Sequence, residues 1–191
     1  MTQDLGSDRN CAAPTLRTDR LVLRQLRGED GAALYPVLSD PEVMIWWSSG
    51  PHASLAETAD YVKINAAEGQ GYSCWAITAG DDVALGWVML IDGKPGVKEI
   101  GYILHRDYWG RGMAAEAVAR VIDHGFGELR LRRIFADSDP ENRGSVALLD
   151  RLGFQYEGRL RGEWKTHIGV RDSLIYGLLH DEWAPRTGEK S

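Results

Sequence analysis

The densest chemistry in this sequence lies in residues 104–115, Leu-His-Arg-Asp-Tyr-Trp-Gly-Arg-Gly-Met-Ala-Ala. A strand-like run ends there, Gly110 and Gly112 follow, and a helical pattern begins at Met113. Glycines let a backbone approach a ligand closely and turn successive N–H groups to one side. The first turn of a helix adds unpaired donors and the positive end of its dipole. Together these make a pyrophosphate cradle, with the charge of Arg111 beside it. Ala114 and Ala115 are too small to block a ligand. The alternative is a glycine-bearing connection that holds nothing.

Two other phosphate-binding readings compete for this loop. A P-loop fails, because no Gly-Lys-Ser/Thr closes the segment. Gly110-x-Gly112-x-x-Ala115 does fit the spacing of a dinucleotide fingerprint, with Asp137 about twenty residues on. That fingerprint follows its strand directly and opens a series of βαβ units. Here residues 105–109 intervene, a hairpin meander precedes, and one strand–helix–strand unit follows.

The elements that position the loop alternate between two periodicities. Residues 21–26 and 72–78 read as strands, and so do 84–91 and 99–104, with Gly80-Asp81-Asp82 and residues 92–96 as turns. Residues 30–38 form a short helix that stops near Asp40-Pro41. Ser54-Leu-Ala-Glu57 is a capping-box pattern, opening an amphipathic helix that runs to Gly69. Ala114, Ala115, Val118, Val121, Ile122 and Phe126 share one face of a helix over 113–126. A strand at 133–136, a helix at 142–152 and strands at 156–161 and 173–179 complete the chain. The expected class is α+β, an antiparallel meander turning into a strand–helix–strand unit. Residues 1–14 read as a polar leader, 15–183 as one domain and 184–191 as a frayed tail.

Composition narrows the function classes. With 191 residues, 43% apolar and 26% charged, the chain has the balance of a globular domain. The net charge of −6 argues against nucleic acid as the main partner and favours cationic small molecules. The longest apolar run, residues 83–91, is far short of the roughly 18 residues of a membrane span. Residues 1–10 show no apolar core of the kind a secretion signal carries. Cys11 and Cys74, with no histidine at ligand spacing, make neither a disulfide framework nor a metal site. The expected setting is cytoplasmic, with reduced thiols.

Residues 109–114, Trp-Gly-Arg-Gly-Met-Ala, resemble the acetyl-CoA-binding loop of the GNAT superfamily of N-acetyltransferases. The family pattern Gln/Arg-x-x-Gly-x-Gly/Ala reads here Trp109-x-x-Gly112-x-Ala114. Its first position departs by carrying Trp, as in the branch resembling the enzymes that acetylate ribosomal-protein N-termini. Thr18-Asp-Arg-Leu-Val-Leu-Arg24, Asp40-Pro41-Glu42 and Glu99-Ile-Gly-Tyr-Ile-Leu104 resemble further segments of that branch. So do Asn142-Arg-Gly-Ser145, Leu152-Gly-Phe154 and Glu157-Gly158, all in the expected order.

The resemblance implies a mixed central sheet, flanked by helices, with a splayed parallel strand pair. Pantetheine would lie in the gap against the backbone of Ile103 and Leu104, and the pyrophosphate over residues 109–115. Asn142 resembles a side-chain contact to pantetheine, while its place at a helix start also suits a cap. Transfer of acetyl to a primary amine needs a neutral amine, a stabilised oxyanion and a proton for the departing thiolate. Ser145 resembles the serine that supplies that proton. Glu163 matches a proposed carboxylate base, Glu99 on the central strand is its rival, and His105 or His167 lacks a positional argument. Trp46, Trp47 and His52 fall at the family's acceptor wall, where for the aromatic pair a substrate pocket, a homodimer contact and plain core packing are all open. Implied partners are acetyl-CoA and an amine, either a protein N-terminus or a small molecule, with no metal. The alternative is a catalytically silent acyl-CoA sensor or partner module.

Overall fold

Apolar side chains at successive positions of the central strands bury both faces of one eight-stranded sheet. The computed structural model describes residues 13–67 and 71–183. The tail call, Cys11, Gly69 and most of the leader call lie outside them. The elements run β1 (Leu16–Arg17), β2 (Val22–Gln25), α1 (Gly31–Leu38), α2 (Pro41–Met44), α3 (Leu55–Ala66), β3 (Tyr72–Thr78), β4 (Gly86–Asp92) and β5 (Val97–Leu104). They continue with α4 (Met113–Gly127), β6 (Arg133–Ser138), α5 (Arg143–Arg151), β7 (Gln155–Thr166) and β8 (Gly169–Leu179).

Strand order is β1-β2-β3-β4-β5-β6-β8-β7. Every pair is antiparallel except β5 and β6, which are joined through α4. The expected α+β sheet, flanked by helices and containing one parallel pair, is therefore present. The period-2 alternation of strand side chains builds two cores. Trp75, Ile77, Val88, Leu90 and Ile100 pack with Met113, Val118, Val121, Ile122 and Leu149 under α4 and α5. Cys74, Ala76, Trp87, Met89 and Ile103 pack with Leu34, Val37, Met44 and Val62 under α1, α2 and α3. Because β3 and β4 are covered on both faces, they read as near-continuous apolar runs. Cys74 is a buried free thiol.

Local chemistry explains the helix starts. Ser54 accepts from the Glu57 backbone N–H at 3.2 Å. The Glu57 carboxylate reaches one residue further back than a capping box would, accepting from Ala53 N at 2.7 Å. Asp40-Pro41 does stop α1, but Pro41 also opens α2, with Asp40 accepting from Glu42 N at 2.9 Å. The α4 stripe buries Met113, Ala117, Val118, Val121, Ile122 and Phe126, each large apolar side chain contributing about 1.5–3 kcal/mol. The last two strands run longer than their apolar pattern. In β7 nearly every residue is exposed, so its length comes from pairing with β8 rather than from burial.

The parallel pair is short. β5 and β6 are in register at Val97–Arg133, Lys98–Ile134 and Glu99–Phe135, and their ladder ends there. Beyond that point β5 stays paired with β4 through Leu104, and β6 with β8 through Ser138. The two strands thus fork, and the facing edges of residues 100–104 and 136–138 have no ladder partner across the gap. No helix among the described residues is long and apolar enough to cross a membrane.

Candidate active site

A cleft of about 1080 Å³ occupies the fork and runs from the glycine loop to the loop after α2. Of the sequence-derived candidates, Glu99, Ile103, Leu104, Trp109, Gly110, Gly112, Met113, Ala114, Ala115, Asn142 and Ser145 line it, as do Trp46 and Trp47. Arg111 and Glu163 are exposed and are not among the lining residues.

The glycine loop is conformationally committed. Gly110 and Gly112 have φ of 70° and 74°, in the left-handed region that side-chain-bearing residues avoid. Gly112 is the N-cap of α4, and a Cβ there would meet nothing nearer than Arg20 Nη2 at 3.7 Å. The space above the loop is therefore open to a ligand, which fits a pyrophosphate. The indole N–H of Trp109 donates to the Leu104 carbonyl at 2.8 Å, tying the loop to the end of β5.

A second strap holds the loop from below. Arg20 Nη1 donates to the Arg111 carbonyl at 3.0 Å, and Arg20 Nε to Glu116 Oε2 at 2.6 Å. Thr18 Oγ1 donates to Glu116 Oε1 at 2.5 Å. Burial opposes ionisation of Glu116, but these bonds outweigh it and hold its pKa below the usual carboxylate range. Arg20→Ala should free the loop and weaken acetyl-CoA binding roughly three- to tenfold, modestly because Arg20 is half exposed. The expected signature is a raised KM for acetyl-CoA at unchanged kcat.

Strand alternation assigns the polar residues of the fork to opposite faces of the sheet. Tyr102 packs with Ile100 and Leu104 on the core under α4 and α5. There its hydroxyl lies 2.9 Å from Ser145 Oγ. Burial pushes the Tyr102 phenol up to about 12 against the opposing effect of the Ser145 bond, so it stays neutral. Asn142 caps α5 by accepting from Ser145 N at 3.1 Å, which leaves its amide NH2 for a ligand.

Glu99 and Asp137 take the other face. Gly101, two residues from Glu99, faces Met89 of the core under α1 to α3. On β6, Ile134 and Ala136 point to the α4 side, so Asp137 points away from it. Both carboxyls are half-buried in the cleft. Burial, then the charge of Asp137, raises the pKa of Glu99. Burial also raises Asp137, aided by the charges of Glu163 and Asp139 and opposed by the hydrogen bond from Trp164. The Trp164 indole donates to Asp137 Oδ2 at 2.8 Å.

The aromatic pair divides between two tasks. Trp47 donates to Tyr61 OH at 3.0 Å and packs edge-on against Trp87, anchoring the loop in the core. Trp46 faces the cleft under the Arg171 guanidinium, which lies 5.6 Å from its ring centroid. Arg171 is pinned by two bonds to Asp139, at 2.7 and 2.9 Å. His105 and His167 are not among the lining residues. Tyr102, Trp164 and Arg171 escaped the sequence reading as site residues, and Asp137 entered it only as the acidic residue of the dinucleotide alternative. Parity along residues 99–104 would have placed Tyr102 opposite Glu99, but not beside Ser145.

The glycine loop at the start of α4 and the unpaired strand edge beside it leave an open cleft for an extended ligand. The GNAT acetyltransferase domain profile matches residues 20–155, and the chain belongs to that family. It is 39% identical over 175 residues to an uncharacterized N-acetyltransferase, p20, of Bacillus licheniformis, covering 89% of this chain and 98% of that one. It is 25% identical over 161 residues to the spermidine N(1)-acetyltransferase of Escherichia coli K12, covering 84% of this chain and 87% of that one. A probable GNAT-family acetyltransferase from Chromobacterium violaceum superposes with a TM-score of 0.82 at 26% identity, covering 96% of each chain.

Proposed function

We propose that residues 15–183 form one N-acetyltransferase domain that moves acetyl from acetyl-CoA to a primary amine. The observation that carries the reading is the division of labour across the fork. Ser145 and Tyr102 stand on the α4/α5 face, and Glu99 and Asp137 on the opposite face, so proton donors and proton acceptors flank one gap. Acyl transfer to an amine needs that arrangement, because the amine loses a proton while the thiolate gains one.

Pantetheine carries amides that complement the unpaired edge of residues 100–104, as a short added strand would. The pyrophosphate takes the N–H groups around Gly110, Gly112 and the start of α4, and Asn142 contacts the pantetheine. Ser145 protonates the leaving thiolate. Glu99 serves as the general base in preference to Glu163, since Glu99 lines the cleft and its pKa lies above the ordinary carboxylate range. Trp46 walls the acceptor side.

Two acceptor classes are favoured. Residues 99–104 and 142–158 resemble the branch acting on protein N-terminal α-amines. The half-buried carboxylates and the spermidine-acetylating relative favour a polyamine. An amine panel containing peptides, spermidine, lysine and an aminoglycoside, assayed for free CoA, separates them. Acetyl-CoA binding without thiol release on any amine would instead identify a silent CoA-binding module.

Within this reading, Ser145→Ala should lower kcat about 10- to 100-fold with little change in acetyl-CoA affinity. A loss confined to cofactor affinity would make Ser145 a binding residue.

A further inference from the structure

We propose that Tyr102 is a positioning residue for the proton that leaves Ser145: its phenol donates to Ser145 Oγ and so turns the serine O–H into the cleft. This rests on the assignment of Ser145 as proton source.

Tyr102 lies in the stretch of β5 past the last ladder pair with β6, and its ring reaches from the strand to the first turn of α5. Its hydroxyl ends 2.9 Å from Ser145 Oγ and 3.5 Å from the Ser145 carbonyl, so the side-chain contact is the effective one. Both residues line the cleft, so the pair meets at its wall rather than inside the core.

The chemistry selects the direction of the bond. A serine hydroxyl has one proton and two lone pairs. Either oxygen could donate at this distance, but if Ser145 donated to Tyr102 its one proton would be spent on the phenol and not on a sulfur in the gap. With Tyr102 donating, the serine proton is free for the sulfur. The phenol remains a donor at every working pH, since burial keeps it protonated.

A serine hydroxyl is also a weaker acid than a thiol, whose ordinary pKa is about 8.5. Charge building on Oγ must therefore be held as the proton departs, and a second hydrogen bond onto the same oxygen does that. The step balances. The amine nitrogen forms its C–N bond to the acyl carbon. Collapse of the resulting oxyanion to C=O breaks the C–S bond with its electron pair going to sulfur, which takes the Ser145 proton. The Tyr102 hydrogen bond shortens onto Oγ as the serine proton leaves, and the proton that the amine gave up to Glu99 returns to Oγ through water, so no charge is left behind.

The test is a double-mutant cycle of Tyr102→Phe and Ser145→Ala, with kcat from CoA release and acetyl-CoA affinity from calorimetry. Tyr102→Phe keeps the ring and its packing. It should lower kcat about tenfold at unchanged affinity, and it should cost nothing further in the Ser145→Ala background. A merely structural tyrosine would weaken acetyl-CoA binding or lower both constants together. Unchanged kcat in Tyr102→Phe, or two losses that multiply in the double variant, would overturn the proposal. So would a loss in Tyr102→Phe alongside an unaffected Ser145→Ala, which would make the phenol act directly. Wild-type turnover is measured first. No thiol release with any amine would sink the transferase reading and this proposal together, whereas the other outcomes leave that reading standing.

Discussion

Gly112→Val should abolish acetyl-CoA binding while the protein stays folded. Gly112 has φ of 74° and caps α4, so a β-branched side chain there is strained by about 1–3 kcal/mol. That cost is absorbed by a helix whose apolar stripe is fully packed. The Cβ itself clashes with nothing, the nearest heavy atom being Arg20 Nη2 at 3.7 Å. The isopropyl group would therefore crowd the open space beside the start of α4, next to Arg20, where the proposed pyrophosphate would meet the first N–H groups of the helix. Gly112→Ala serves as the companion, sharing the backbone strain but adding one methyl. It should bind more weakly than wild type and more tightly than Gly112→Val. Calorimetry with acetyl-CoA, beside a thermal melt of each variant, reads the result. Wild-type affinity in Gly112→Val would remove the pyrophosphate from this loop. Nicotinamide dinucleotides should fail to bind wild-type protein, because the meander before the loop is not a βαβ series.

Glu99→Gln should slow transfer by roughly 10²- to 10⁴-fold, the usual contribution of a positioned general base. The loss should be greater for an ε-amine than for an α-amine. An α-amine, with a reference pKa near 7.7–8, is substantially neutral around pH 8, whereas a lysine amine near 10.4 is almost wholly protonated there. Burial and the charge of Asp137 both raise the Glu99 pKa. The carboxylate form needed for catalysis is then lost as pH falls through a value above the ordinary 4.3. The acidic limb of kcat/KM should carry that displaced ionisation in wild type and lose it in Glu99→Gln. Glu163→Gln, whose carboxyl is exposed and outside the lining residues, should lose less. A pH series on both variants, with a peptide α-amine and a lysine analogue, decides between them. An acidic limb that moves in Glu163→Gln and not in Glu99→Gln would transfer the role to β7.

Much of the glycine loop and of the helix after it was legible because both depend on local rules. The 3.6-residue period starting at Met113, straight after two glycines, marked both the helix and the loop that feeds it. Ser54, Asn142 and Asp40 were readable as helix punctuation, since a short polar side chain finds its N–H partner two or three residues away. Gly80-Asp81-Asp82 marked the β3–β4 turn because such residues tolerate the backbone a tight turn needs. Asp82 does adopt a positive φ of 61°. Trp46 and Trp47 show where local reading stops. Both line the cleft, but Trp46 meets Arg171 while Trp47 packs back against Trp87 of the core, partners far along the chain.

The amino-acid sequence by itself determined the two-sided strands, the amphipathic α4, the glycine cradle and the cap at Asn142, all set by interactions within a few residues. Tertiary structure alone decided that β5 and β6 part after Glu99 and Phe135, and that β8 inserts between β6 and β7. It likewise decided that Tyr102 meets Ser145, 43 residues away, and that Trp164 meets Asp137, 27 away. The physical reason is that alternation fixes which face a side chain takes but not which strand lies beside it. Pairing and divergence depend on how both faces of the sheet are packed, and that is settled by the helices on either side rather than by any single strand.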